Sequence, residues 1–487
     1  MNISRRLRIG VAASVAVVSA GCVHPPSVSG VSGTSPAPNA AWTPPERPVA
    51  ATRAAGALPQ IPADIESRLK QLTLTDIVDL ALRNNPATRI SWANARAAAA
   101  VYGSSKGAWF PTIDADVNGS RFKTVATQGR SAVQQTTYGP SLTLSYLLLD
   151  FGGRSGNVAV AKQALLSADW THNATIQDVV LQVESAYFNY MATKGLLEAQ
   201  QSTLKDAQTN YQAAQERHRV GVATIADVLQ AQTALSQAQL DAESTEGTLQ
   251  TTRGALALAL GLPANVPYDV EQPAHIPVAT LADSVDTLIA RAVSLRPDLA
   301  AAMADSAGAH AHIGAVRAER LPSLLLSGNG GRTYIQNRGS GNNYTISLGL
   351  SIPLFAGFSR AYNQMQAEAQ AQAAASRLDA LRQQVMFQVF SSYYTLQTAT
   401  RRVKTADDLL ASAQLSDSVA LGRYKAGVGS VLDLLAAQSA LANARAQQVQ
   451  SRWIWQTALA QLAHDAGVLD AHGNSNVHLA PDSTGRE

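Results

Sequence analysis

The side chains that most often do chemistry in proteins are few and scattered in this sequence. Cys22 is the single cysteine, which excludes a disulfide within the chain, a CxxC redox pair and a zinc site built from thiolates. His310 and His312 lie two positions apart, so on a helix they face different sides and are expected in solvent. The sequence has no GxxxxGKS phosphate loop and no local signature of a Ser/His/Asp arrangement. We therefore expect no cofactor, no metal site and no enzyme activity.

Cys22 lies in a context that predicts covalent lipid attachment. Three arginines within residues 1–8 precede an apolar stretch over 9–18, and small residues then lead to the cysteine. This order is similar to the lipobox of bacterial lipoproteins, whose cysteine becomes the acylated first residue. Ser19 stands where that motif usually has leucine, so ordinary cleavage nearby stays open. We expect a signal peptide over 1–21 and lipidation at Cys22.

Composition narrows the class of protein further. Charged residues make up 15% of the chain and hydrophobic residues 46%, whereas an ordinary domain has about 25% charge. The net charge is +3 and no long basic run occurs, so nucleic acid is not an expected partner. No segment after the signal has the roughly 20 apolar residues that a spanning helix needs.

Proline usage divides the chain. Nine of the 20 prolines lie between Pro25 and Pro62, which predicts an extended tether over 22–65. The intervals Pro140–Pro263 and Pro353–Pro481 contain no internal proline and are rich in Ala, Gln and Leu. In the first interval, residues from Ile176 to His218 and from Val228 to Leu256 also show heptad spacing. These features predict long helices over about 152–220, 224–260, 357–426 and 430–466, followed by a disordered tail over 469–487.

The two helical intervals are copies of one another. Gly221 returns as Gly427 and Asp227 as Asp433, each pair 206 positions apart. Such spacing indicates a tandem duplication. We assign the first repeat to 66–275 and the second to 276–468.

Each repeat also contains two segments in which apolar and polar residues alternate, which predicts strands over about 112–120, 138–148, 323–333 and 344–353. Polar, glycine-bearing loops over 121–137 and 335–343 join them. The alternation suits a soluble hairpin or a membrane barrel, and the secretory context favours the barrel. Four strands cannot close a barrel alone, so two chains would supply eight strands or three would supply twelve.

In this order the motifs resemble the TolC-like outer-membrane efflux factors, closest to their lipoprotein branch. The resemblance covers roughly 72–467. It depends on the duplication, on two strand-to-helix signatures and on two turn motifs, which are Leu149–Arg154, Pro353–Gly357, Arg219–Leu229 and Arg423–Leu435. A periplasmic coiled-coil adaptor is the alternative, although such adaptors have one helical hairpin and no duplicated strand-helix unit.

The resemblance implies a mainly α fold with membrane β-structure. Three chains would form a 12-stranded outer-membrane barrel, four strands each, continuous with a long periplasmic α-helical barrel. The implied function is the exit duct of a tripartite efflux pump, which passively conducts drugs or other small molecules. The implied partners are two further copies, a periplasmic adaptor, an inner-membrane transporter of the RND type, and outer-membrane lipid.

The helical turns hold the predicted functional residues. Glycine permits each chain reversal, and Thr224 and Ser430 are suited to cap the returning helices. By resemblance, Asp433 matches an acidic residue of the closed periplasmic entrance, although first-turn acidity of a helix would also explain it. Tyr424 would hold its hairpin to a neighbour through a hydroxyl hydrogen bond, or would simply pack between helices. Two other gate positions of the family are Gly429 and Ala436 here. The expected adaptor-docking tips are Gly221, Val222, Thr224, Gly427, Val428 and Ser430.

Overall fold

The computed structural model describes residues 72–125, 132–271, 278–469 and 479–480. All the described residues belong to one compact unit. The predicted signal peptide, the lipidation at Cys22 and the tether over 22–65 lie outside the described residues. In chain order the elements are α1 (Leu74–Asn84), α2 (Pro86–Gly107), β1 (Thr112–Lys123), β2 (Gln134–Leu149), α3 (Gly153–Arg219), α4 (Ile225–Ala259), β3 (Thr280–Leu281), α5 (Val285–Leu295), α6 (Pro297–Ala318), β4 (Ser323–Ile335), β5 (Gly339–Ser351), α7 (Ser359–Lys425), α8 (Val431–Asp465) and β6 (Leu479–Ala480).

The helices repeat with the same lengths in both halves. α1 and α5 have 11 residues each, α2 and α6 have 22, α3 and α7 have 67, and α4 and α8 have 35. At about 1.5 Å per residue, α3 and α7 are each roughly 100 Å long. The predicted fold class, a duplicated strand-helix unit that is mainly helical, is confirmed.

Local sequence fixes where the shorter helices begin. Thr73 and Asp76 form a capping box at the start of α1, in which each side chain bonds the other residue's backbone N–H. Pro86 and Pro297 occupy the first positions of α2 and α6, where the missing N–H of proline costs no hydrogen bond. The sequence therefore encodes a sharp break between the 11-residue and 22-residue helices of each copy.

The main core lies where the shorter helices meet the middle of the long ones. Trp455 and Tyr187 are its largest fully buried side chains, and Leu256, Leu288 and Leu396 are among the fully buried leucines around them. Both aromatic residues satisfy their polar atoms within the core: the Tyr187 hydroxyl donates to the Glu271 carbonyl at 3.0 Å, and Trp455 Nε1 donates to Thr400 Oγ1 at 3.1 Å. This core joins both copies into one folded unit.

The four long strands form one antiparallel sheet in the order β1-β2-β4-β5, so β1 and β5 are its edges. The strands extend further than the apolar alternation predicted. β1 continues to Lys123, β2 begins at Gln134 and β5 begins at Gly339, so residues that we expected in loops belong to the ladder. The reason is that the hydrogen bonds of the ladder join backbone groups, so they form whether or not apolar and polar side chains alternate.

The two faces of the sheet differ in chemistry. One face presents aliphatic and aromatic side chains that pack against no other described element, including Val117 and Tyr344, which are 82% and 83% exposed. The other face is polar and contains cross-strand hydrogen bonds, such as Asn329 Nδ2 to Thr143 Oγ1 at 3.1 Å and Ser120 to Thr137 at 2.8 Å. A soluble hairpin would bury its apolar face, so within the described chain that alternative is wrong.

A second, small sheet corrects the predicted disordered tail at two residues. Leu479 and Ala480 pair with Leu281 and Thr280, which ties this part of the tail to the segment before α5.

Among the helices that the structure describes, none combines the length and the apolarity that crossing a bilayer requires.

Candidate functional site

The junction between β2 and α3 is held by buried polar contacts. Arg154, in the first turn of α3, is 6% exposed, and its Nη2 donates to the Leu148 carbonyl at 3.1 Å. Its guanidinium carbon lies 4.4 Å from the centroid of the Trp109 ring, and Asp150 Oδ2 is 3.4 Å from its Nε. Arg154 therefore connects the end of β2 to the residues that precede β1, and it fixes the direction in which α3 leaves the sheet.

Both long helical hairpins end in the same kind of turn. Gly221 and Gly427 have φ values of +79° and +75°, a backbone region that favours glycine. Thr224 caps α4 and Ser430 caps α8, each in a capping box with the aspartate three residues later. Val222 and Val428, beside the glycines, are exposed. The predicted docking residues thus lie at the two hairpin tips, and nothing in the structure tests their role in docking.

Asp433 has a helix-capping role and also faces a groove. Its backbone N–H donates to Ser430 Oγ at 3.1 Å, and its carboxylate accepts from the Ser430 N–H at 3.4 Å. The groove beside it is lined by α7 and α8 and includes Arg423, Gly429 and Ala436. A Cβ added to Gly429 would lie 3.0 Å from the Arg423 Cβ, so this position has little room for a side chain.

Tyr424 lies between the two hairpin tips of the chain. Its ring is buried against Val431 and Leu434, and the guanidinium carbon of Arg217 from α3 lies 4.6 Å from its centroid. Arg217 Nη1 also donates to the Tyr424 carbonyl at 3.2 Å. Within the described chain no hydrogen bond to the Tyr424 hydroxyl is formed, so the predicted bond to a neighbouring hairpin stays a prediction.

Sequence reasoning missed Arg217, although the duplication contains a signal for it. Arg217 and Arg423 are 206 positions apart, the same spacing as the glycine and aspartate pairs of the turns. A basic residue repeated at the same place in both tips indicates a shared role. In the first copy that role is to pack on the ring of the other hairpin.

Sequence reasoning also missed a charge cluster at the end of α8. His464 Nε2 lies 2.9 Å from Asp178 Oδ1 of α3, and its Nδ1 lies 3.1 Å from Asp465 Oδ1. Burial alone would lower the pKa of this imidazole, but the hydrogen bonds to the two carboxylates outweigh it and raise the pKa to about 9. The neighbouring charges are Arg296, which donates to the Asp465 carbonyl, and Asp298, which pairs with Arg296. A protonated His464 therefore links α8 to α3 at neutral pH.

Sequence comparison identifies the family. The family described as "Outer membrane efflux protein" matches residues 77–262 and 288–468. Protein CyaE of Bordetella pertussis is 30% identical over 393 residues, which cover 80% of this chain and 82% of that protein. The probable efflux pump outer membrane protein TtgC of Pseudomonas putida is 26% identical over 408 residues, with 82% of each chain covered.

Solved structures agree with this assignment. The crystal structure of a membrane protein from Pseudomonas aeruginosa matches with a TM-score of 0.74 and 25% identity, over 81% of this chain and 93% of that one. The Campylobacter jejuni CmeC outer membrane channel has a TM-score of 0.72 and 20% identity, over 83% and 86% of the two chains, and so supports the fold. The resemblance seen in the sequence is confirmed. By sequence and by fold, the chain belongs to the outer membrane efflux protein family, whose members are outer-membrane channels with helices that extend into the periplasm.

Proposed function

We propose that three copies of this chain form the exit duct of a tripartite efflux pump, through which drugs or other small molecules pass without a catalytic step. A periplasmic adaptor and an inner-membrane transporter of the RND type deliver these compounds to the duct. The observation that supports this proposal best is one four-stranded sheet with two open edges and an exposed apolar face, continuous with two pairs of long antiparallel helices.

The open edges require partners in a membrane. The outer side of β1 and the outer side of β5 present unpaired backbone N–H and C=O groups, which hydrocarbon cannot satisfy. Pairing β1 of one copy with β5 of the next satisfies both edges and makes a closed barrel. With three copies the barrel has twelve strands, its apolar face meets lipid and its polar face surrounds the lumen.

Aromatic residues at the strand-helix junctions support a membrane boundary at this level. Phe110, Phe355 and Phe358 are 70%, 76% and 69% exposed on the single chain, and they lie just before β1 or just after β5. Exposed aromatic rings at one level suit the interface between lipid and water, where an apolar ring meets polar headgroups. The helices then begin on the periplasmic side of this boundary.

The hairpin tips are the entrance in this proposal. Three copies of Asp433 near the axis would create a negative potential that favours cations. Tyr424, packed under Arg217, would hold the tip of one hairpin to the other and keep the entrance closed.

The adaptor would dock on the exposed residues of the two hairpin tips, which are Gly221, Val222, Thr224, Gly427, Val428 and Ser430. Lipidation of Cys22 would add an anchor in the outer membrane.

The test is transport by cells that lack the chromosomal copy of this gene. Restoring the wild-type chain should lower the accumulation of a fluorescent efflux substrate. A variant with Val222→Asp and Val428→Asp should reach the outer membrane in equal amount yet fail to lower accumulation, because charged tips would not dock. If the wild-type chain, present in the outer membrane together with the pump, left accumulation unchanged, the proposal would be wrong.

A further inference from the structure

The end of the sheet that lies farthest from the helices is strongly basic. From Val117 to Leu149 and from Leu321 to Ile352 the sequence contains no aspartate or glutamate. The same segments contain five basic residues, which are Arg121, Lys123, Arg130, Arg332 and Arg338. The two carboxylates of the sheet, Asp114 and Asp116, lie near the opposite end of β1.

The register of the strands shows which face three of these basic residues share. Arg121 and Lys123 continue the alternation of Ile113, Ala115 and Val117, because β1 pairs with β2 without a bulge. These are the residues of the apolar face, whereas Asp114 and Asp116 belong to the polar face. Positive and negative charges of the sheet are therefore on opposite faces.

Arg332 of β4 lies on the same face as Val117. Val117 pairs with Pro140, and the pairs Tyr138–Tyr334 and Ser141–Gly331 on either side put Arg332 opposite Pro140. We name Arg121, Lys123 and Arg332 the outward basic belt. All three side chains are exposed.

The belt lies at the outer rim of the apolar band. Arg121 is nine residues from the start of β1, and Arg332 is nine residues from the start of β4. At about 3.3 Å per residue and a strand tilt of about 40°, nine residues rise roughly 23 Å, close to the height of about 25 Å for the lipid-facing band of such barrels. A basic side chain on the lipid-facing surface would destabilise the barrel at the midplane of the bilayer, whereas near the interface with water it costs little free energy.

The surroundings of the belt leave its charges available to an anion. Arg332 donates to Ser340 Oγ at 3.1 and 3.3 Å, and its guanidinium carbon lies 5.5 Å from the Tyr334 ring, which stacks on Tyr138 at 5.4 Å. With the side-chain oxygen of Gln134 facing Arg121, the Arg121 Nε donates a hydrogen bond to it at 2.9 Å. Among the described residues, none of the three forms a salt bridge with a carboxylate. Neutral partners orient Arg121 and Arg332 without cancelling their charge.

We propose that the outward basic belt binds the phosphate groups of the phosphorylated glycolipid, lipopolysaccharide, in the outer leaflet of the outer membrane. This inference rests on the proposed barrel, which turns the face of Ile113 and Val117 toward lipid. We infer a phosphorylated headgroup as the ligand from charge complementarity, because guanidinium and ammonium groups at headgroup level pair with phosphate oxygens. Arg332 lies beside the stacked rings of Tyr138 and Tyr334. The two rings would then lie at the membrane interface, and the guanidinium of Arg332 would lie above the apolar band.

The experiment measures binding of lipopolysaccharide to the full-length protein, purified in mild detergent and freed of lipid. Two probes are titrated: lipopolysaccharide with its lipid phosphates, and the same material after enzymatic dephosphorylation. The belt variant combines Arg121→Gln, Lys123→Gln and Arg332→Gln. The matched control combines Arg401→Gln, Arg402→Gln and Lys404→Gln, which removes the same charge from exposed positions of α7. Native mass measurement counts the chains in every sample before titration.

We expect the belt variant to bind the phosphorylated probe at least tenfold more weakly than the wild type, and the control triple to bind like the wild type. Dephosphorylation should weaken the wild type by a similar factor and the belt variant little. Equal binding of both probes by the wild type, or equal losses in the two triple variants, would overturn the inference while trimers in every sample leave the channel proposal intact. A wild-type protein without trimers would refute the channel proposal and this inference with it.

Discussion

The charge on His464 makes a testable contribution to stability. The imidazole is bonded to Asp178 and Asp465, and its pKa is raised from 6.5 to about 9. This change in pKa corresponds to roughly 3 kcal/mol per chain, because a tenfold change in proton affinity is about 1.4 kcal/mol. Because the folded pKa is the higher one, this stabilisation is fully present below pH 6.5 and is lost as the pH rises through about 9.

The perturbation is His464→Gln, and the assay is urea unfolding of the helices, followed by far-ultraviolet circular dichroism in mild detergent at several pH values from 6 to 10. We expect the variant to be less stable than the wild type by roughly 3 kcal/mol per chain at pH 6, with the difference shrinking toward zero near pH 10. Asp178→Asn should give part of this effect, because Asp465 remains beside the imidazole.

His310→Gln is the matched control, because His310 is exposed on α6. It should leave the pH dependence of stability unchanged. If the difference between the wild type and His464→Gln were the same at pH 6 and at pH 10, the imidazole would contribute only neutral hydrogen bonds. The reasoning from its two carboxylate partners would then be refuted.

Three further predictions concern the anchor, the entrance and the packing of α3 against α6. Cys22→Ser should abolish labelling by a fatty-acid analogue while trimers still form; an unmodified Cys22 retained in the mature wild-type protein would contradict the lipid anchor. Asp433→Asn keeps the cap of α8 but removes its charge, so it should weaken cation preference and divalent-ion block in planar bilayers, whereas unchanged selectivity would leave Asp433 a helix-end residue only. Gly156→Ala should destabilise the protein by about 1–3 kcal/mol in urea unfolding, because the added Cβ would lie 2.8 Å from the Ala315 backbone nitrogen, and a stability equal to that of the wild type would show that the helices can move apart. Gly314→Ala, where nothing lies within 4 Å of the added Cβ, is its control.

The fold class could be predicted from the sequence because its signals are local and occur twice. A 206-residue spacing, two long intervals without proline and four alternating segments each report a backbone preference. The ends of the strands were harder, since the Ser, Thr and Gln residues that extend β2 to Gln134 pair through their backbones and leave no apolar pattern.

The candidate site was predictable only in part, for a physical reason. Capping residues such as Thr224 and Ser430 act on their own helix, so three-residue spacing reveals them. His464 meets Asp178 across 286 positions and Arg217 meets Tyr424 across 207, and such pairs depend on the tertiary packing of α3 against the second copy. The outward basic belt needs the register of three strands before its common face is visible.

The number of chains in the assembled protein tests most directly whether this chain forms a trimeric barrel. The purified full-length protein, kept in mild detergent, would be measured by native mass spectrometry and by circular dichroism of the same sample. We expect a single species of three chains whose strand signal is lost together with the trimer, because β1 and β5 are open edges in the single chain. A stable monomer with the full strand content would contradict it.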